Sequence, residues 1–179
     1  MVRTIALATL TFLLSFAAAD AVTLARLSFA QLTGDADVVV YGRVSEVRGQ
    51  WTADRHGIDS LVTLEAYEYL KGRYSETVMF RTPGGQIGET LNVWPGAPTF
   101  RAGDLVVVFL ASRGPTIPSL VGLTQGVLRV SADARSGELL ARPRPAGVAD
   151  VSPQALGSSS TISVTALTAQ IRAQMEAGR

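Results

Sequence analysis

Cysteine is absent from all 179 residues. Disulfides, thiolate metal sites, cysteine nucleophiles and a lipid-modified N-terminal cysteine are therefore excluded together, and stability has to come from burial. Lys71 is the sole lysine and His56 the sole histidine, and the formal net charge is +1. Phosphate backbones are bound by clustered basic residues, so a near-neutral chain with scattered arginines gives no expectation of a nucleic-acid partner. Recognisable catalytic motifs are also lacking. Gly84-Gly85-Gln86-Ile87-Gly88 is followed neither by Lys-Ser/Thr nor by a helix, so it reads as a turn rather than a phosphate loop. Glu65 and Glu68 fall on opposite faces of an alternating strand and cannot flank one glycosidic bond. No catalytic residue and no cofactor is expected.

Long apolar runs are missing everywhere except at the start. Met1-Val2-Arg3 is followed by an apolar stretch from Ile5 to Ala19 and by Ala19-Asp20-Ala21. A positive start, an apolar middle and a small-x-small end are the layout of a secretory signal peptide. The expectation is cleavage after Ala21 and export to the periplasm or beyond, with no membrane span left after cleavage. With 47% hydrophobic and 17% charged residues, the remainder is expected to form a globular core. The expected organisation is a signal peptide over 1–21, a β domain over 22–142, a linker over 143–160 and an amphipathic helix over 161–179.

β-Branched alternation dominates the middle of the chain. Asp37 to Arg48 reads as a half-buried first strand, with Gly42 marking a bend or a close backbone approach. Gly49 to Gly57 is a polar hairpin loop, and Asp59 to Leu70 is a second strand. Its alternation puts Val62, Leu64, Ala66, Glu68 and Leu70 on one face and Thr63, Glu65, Tyr67 and Tyr69 on the other. Thr77 to Thr82 is a short third strand, and Gly88 to Pro98 an irregular strand running into a rigid loop. Leu105 to Leu110 is an unbroken apolar run consistent with a strand buried on both sides. Ser119 to Ser131 reads as one further strand bent at Gly122 and Gly126, and Glu138 to Arg142 pairs back in a hairpin.

Ser28 and Gln31 have capping-box spacing, which fits a helix of one to two turns ending near Gly34, with a plain loop as the alternative. Val164, Leu167, Ile171 and Met175 recur at helical spacing behind Ser163 as N-cap. That stripe either packs on the domain or docks on a neighbour. The fold expected is mainly β: a small OB-like barrel of five to six strands with a short N-terminal and a C-terminal helix.

Ala36-Asp37-Val38-Val39-Val40, Gly42-Arg43-Val44 and the strand end Tyr69-Leu70-Lys71-Gly72 resemble the netrin-like OB-fold, as does the run from Gly103 to Leu110. The tissue inhibitors of metalloproteinases belong to that superfamily. The resemblance implies the fold over about residues 28 to 131. It does not extend to the inhibitory mechanism. Those inhibitors bind the enzyme's zinc through an N-terminal cysteine held by disulfides, whereas the mature chain here is expected to begin Val22-Thr23-Leu24.

Two groups of residues stand out as candidate sites. Trp51 and Trp94 lie in Gly- or Pro-rich loops, where aromatic side chains anchor binding surfaces, with Tyr67 and Tyr69 as a possible extension. The alternative for each tryptophan is that it covers a barrel end. Asp54, His56 and Asp59 could ligate a metal, and a metal-dependent hydrolase centred on His56 is one alternative function. The same stretch also reads as a solvated turn. The function expected is an exported, non-enzymatic binding module of unknown ligand, with an extracellular or periplasmic protein as the candidate partner and a structural envelope protein as a further alternative.

Overall fold

The computed structural model describes residues 26–114, 116–143 and 161–177. The expected signal peptide, and the expected linker apart from Pro143, lie outside the described residues.

The β1–β2 hairpin, Val38–Trp51 and Ile58–Lys71, is the long spine of the fold. β3 (Thr77–Pro83) pairs antiparallel with β2. β6 (Leu105–Ala111) pairs antiparallel with the start of β1, and β7 (Ser119–Leu120) with the end of β6. One parallel bridge, Arg81 to Ser119, joins β7 to β3. The strands therefore form a five-membered, barrel-like ring in the order β1-β2-β3-β7-β6 and back to β1. The expected mainly β, OB-like fold is realised in this ring. β8 (Val127–Ala132), β9 (Leu139–Pro143) and the two-residue β10 (Ile162–Ser163) extend the sheet from β6. β4 (Gly85–Ile87) and β5 (Thr90–Asn92) form a separate small hairpin.

Apolar residues sort into two layers. Val40, Val62, Leu64, Phe80, Val108 and Leu110 point into the ring. Val39, Tyr41, Leu70, Val107, Phe109 and Leu128 point the other way, where α1 (Phe29–Asp35) and α2 (Val164–Ala177) cover them. This explains the buried run of β6, whose residues Val106 to Leu110 belong alternately to the two layers. It also corrects the reading of β1 as half-buried. Val38 to Tyr41 are buried on both faces because the helices seal the outer one.

Both helix starts are capped as their sequences suggest. Ser28 Oγ accepts from Gln31 N while Gln31 Oε1 accepts from Ser28 N, completing a capping box. Ser163 Oγ accepts from Ala166 N at the start of α2. The far end of α1 is held by Lys71, whose ammonium donates to the carbonyls of Thr33 and Ala36 at 2.6 Å each. Val164, Leu167 and Ile171 are buried against the outer layer, so these members of the stripe are used within the domain rather than left for a neighbour. Met175 does not follow them and is exposed.

The expected strand over 119–131 is broken. Gly122 adopts a left-handed conformation and starts a 3-10 turn, Leu123–Gly126, which moves the chain from the end of β6 (paired with β7) to its middle (paired with β8). The expected irregular strand from Gly88 is instead the β4–β5 hairpin followed by a loop.

β2 also departs from simple alternation. Its pairing with β1 skips Tyr67 and Leu70, and β1 skips Ser45. Each skipped residue is a bulge that shifts the facing phase by one. Ala66 and Tyr69 consequently pack on the ring interior, whereas Leu70 joins the outer layer. The expected grouping of Leu70 with Leu64, and of Tyr67 with Tyr69, is thereby corrected, as is the expected placing of Glu65 and Glu68 on opposite faces: they pair with Arg43 and Tyr41, which share one face.

Candidate functional site

The β1–β2 loop is tied by its own side chains. Thr52 N donates to Gly57 O and Arg55 N to Thr52 O, both at 2.9 Å. Asp54 Oδ1 accepts from the Thr52 hydroxyl at 2.5 Å and from His56 N at 3.1 Å. Those bonds, the Thr52 hydroxyl first and the His56 amide second, hold the Asp54 carboxyl below its ordinary value. Arg55 takes a left-handed conformation (φ 57°) at the tip, a geometry that costs a non-glycine residue and persists where the surroundings fix it.

This loop forms one end of a groove of about 710 Å³ on the sheet. Asp59 and Leu61 of β2 and Arg81 and Pro83 of β3 line it, with register pairs Asp59–Pro83 and Leu61–Arg81. Asp59 and Arg81 form an ion pair at 3.6 Å, in which the carboxylate is mostly buried and the guanidinium half exposed. Trp51, with Gln50 and Thr52, contributes from the β1 side, and Ile117 and Ser119 contribute from the segment entering β7. Strand order β1-β2-β3-β7 thus sets Trp51 and Ile117 on opposite flanks. Trp51 is 43% exposed, a half-open indole on a rigid hairpin end.

The other expected site residues lie elsewhere. Trp94 is 55% exposed but is not among the residues lining the groove. Its loop is fixed from below, because Thr124 N and Oγ1 both donate to Gly96 O. Phe100, just beyond, packs edge-on against Phe80 with ring centroids 5.3 Å apart. Tyr67 is exposed and meets Tyr41 edge-on at 5.7 Å, beside the outer layer. Tyr69 turns inward and its hydroxyl donates to Ser75 O. The two tyrosines therefore do not extend one surface with the tryptophans.

Asp54, His56 and Asp59 are not drawn together either. Asp54 is engaged within the loop and Asp59 with Arg81. Among the described residues no group of three or more His, Cys, Asp or Glu side chains is placed to hold a metal. Nor, among them, is any helix long and apolar enough to cross a membrane.

Trp51 was legible as a site candidate from its loop. Arg81, Leu61 and Ile117 were not, since they come from three separate elements and share no spacing in the chain. Their one local signal is that Arg81 occupies an outward position of a strand whose alternate residues, Val78, Phe80 and Thr82, are buried.

No protein-family model, no curated protein and no solved structure matches this chain, and so no relative identifies it with the netrin-like superfamily.

Proposed function

We propose that the chain is an exported, non-enzymatic binding module whose ligand lies in the groove between Trp51 and Ile117. The observation that carries this reading is the groove itself, a concavity lined by the β1–β2 loop, β2, β3 and the segment entering β7, with the Arg81–Asp59 pair among its lining residues. Ligand sites are typically concave and carry a few fixed polar groups, and Asp54, Asp59 and Arg81, each held by the bonds described above, are such groups here. Its carboxylates are committed to Thr52, His56 N and Arg81, which favours positioning over proton transfer. Export rests on the N-terminal sequence pattern. The netrin-like relationship belongs to the same proposal and is supported by the five-stranded ring, without the inhibitory mechanism.

The test is retention of ligand from the native exported fraction by the immobilised full chain. Trp51→Ala and Arg81→Leu should each abolish retention, while Tyr67→Ala, remote from the groove, should not. Retention unchanged in both groove variants would overturn the reading.

A further inference from the structure

We infer that the loop around Trp94 is a lipid-surface anchor, which seats in the interfacial layer of a bilayer. Leu91 in β5, with Val93 and Trp94 just beyond it, are 65%, 74% and 55% exposed. From Thr90 to Phe100 no residue is charged. Exposed apolar patches rimmed by polar residues mark protein or membrane interaction sites. The inference is independent of the groove, since none of these residues lines it.

The loop holds these side chains out on a fixed base. Trp94-Pro95-Gly96-Ala97 has the pattern of a type II turn, with Pro95 second, Gly96 third at φ 79°, and Ala97 N donating to Trp94 O at 3.1 Å. Gly96 O accepts from both Thr124 N and Thr124 Oγ1. Beyond the turn Pro98 and Phe100 are buried, Phe100 against Phe80. Pro95 and Pro98 have no N–H, and the Trp94 and Gly96 carbonyls are already bonded. That lowers the main-chain cost of entering a layer poor in hydrogen-bonding partners.

Size and charge select the occupant. A stable protein interface takes about 20–30 residues and about 800 Å² from each partner. Here the apolar surface is Leu91, Val93 and Trp94 on one loop, bordered by the exposed polar positions Glu89 and Thr99. Neither a second copy nor another folded protein finds a surface of standard size there. A bilayer needs no such area, because apolar side chains and an indole partition into its interface one by one. The flanking residues Glu89 and Arg101 carry one charge of each sign, so the attraction is apolar and asks for no anionic headgroup.

The experiment uses the full chain carrying Trp51→Phe, which leaves Trp94 as its sole tryptophan. Because Ile5 to Ala19 form an apolar stretch of their own, the readout is the emission of Trp94 rather than pelleting with vesicles. Vesicles of phosphatidylcholine alone should shift that emission to the blue saturably, and phosphatidylcholine brominated on its acyl chains should quench it. An equal mixture with phosphatidylglycerol should respond within about twofold of phosphatidylcholine alone, and added salt should not reverse the response. Leu91→Ser combined with Val93→Ser should weaken partitioning by about tenfold or more, and Val93→Ser alone should act in the same direction. Tyr67→Ala removes an aromatic side chain of similar exposure (54%) beside the outer layer and should leave partitioning unchanged.

No blue shift with phosphatidylcholine overturns the inference, as does quenching that the two serine substitutions leave intact. Emission that shifts with protein concentration in the absence of vesicles assigns the loop to a second copy. A response confined to the anionic vesicles and abolished by salt assigns it to electrostatic attachment. Either of these results overturns the inference as well, and the groove reading survives all of them.

Discussion

Gly42 of β1 lies so close to Glu65 of β2 that a Cβ at position 42 would sit 2.1 Å from the Glu65 carbonyl oxygen. The two residues lie between the bulges at Tyr67 and Ser45, and the main chains approach there without an intervening side chain. Gly42→Ala should therefore force the strands apart. The expected loss is about 1–3 kcal/mol, the range for inserting atoms into a packed site. A lowered denaturation midpoint with an unchanged m-value would show it, and a wild-type midpoint would refute it.

Lys71 should matter more than a surface lysine ordinarily does. Its ammonium is shared between two carbonyls, Thr33 and Ala36, at the end of α1, where the last turn leaves acceptors without partners inside the helix. Lys71→Met keeps the aliphatic stem and removes both bonds. A loss of about 1.5–3 kcal/mol is expected, the range for hydrogen bonds to a charged group. Faster amide exchange in α1 should accompany it, read by hydrogen–deuterium exchange.

The terminal helix separates two members of one sequence stripe. Leu167 is fully buried against the outer layer, whereas Met175 is 38% exposed. Leu167→Ala should cost about 2–5 kcal/mol. Met175→Ala should stay within about 0.5 kcal/mol of wild type. Equal effects in thermal unfolding would mean that α2 does not pack as described.

Acid should loosen the β1–β2 loop before it unfolds the domain. An unfolded aspartate titrates at its ordinary value of 3.8, and the Thr52 hydroxyl with the His56 amide depresses Asp54 in the fold. A depressed folded value contributes order that is present above the unfolded value and is lost as pH falls through the folded one. Amide shifts of Thr52, His56 and Gly57 should move together on titration from about pH 5 to about pH 2. In Asp54→Asn that joint transition should be absent.

The tryptophans separate packing from binding. Trp94 projects from a loop pinned by Thr124, and its own ring is more than half exposed. Trp94→Ala should therefore move the unfolding temperature little, with a stability change within about 0.5 kcal/mol. A large drop would mean that the indole is part of the core.

Local patterns carried much of the architecture. The capping box at Ser28, the Ser163 cap, the unbroken run of β6 and the alternation of β1, β2 and β3 each depend on contacts or periodicities within a few residues, which a linear chain displays directly. The elements that were misread depend on partners far away. Nothing near Tyr67 or Leu70 announces that β1 will skip them, because a bulge is a property of a pair of strands. Gly122 announced a bend, but the break over 119–131 is an insertion: Leu120 pairs with Leu110 and Val127 with Val108, and the intervening turn is held out by Thr124 bonding to the distant Gly96 carbonyl.

By itself, the sequence determined a cysteine-free, mainly β protein stabilised by burial, with an export-type N-terminal pattern, candidate helix caps and a tryptophan in a polar hairpin loop. Tertiary structure alone decided which residues that tryptophan is brought beside. Closing the ring through the Arg81–Ser119 bridge brings β3 and the segment entering β7 alongside the β1–β2 hairpin, so Trp51 shares a groove with Arg81, Asp59 and Ile117 rather than with Trp94. The physical reason is that a binding surface is assembled by strand order and register, and these are fixed by long-range pairing and burial rather than by any residue's neighbours in the chain.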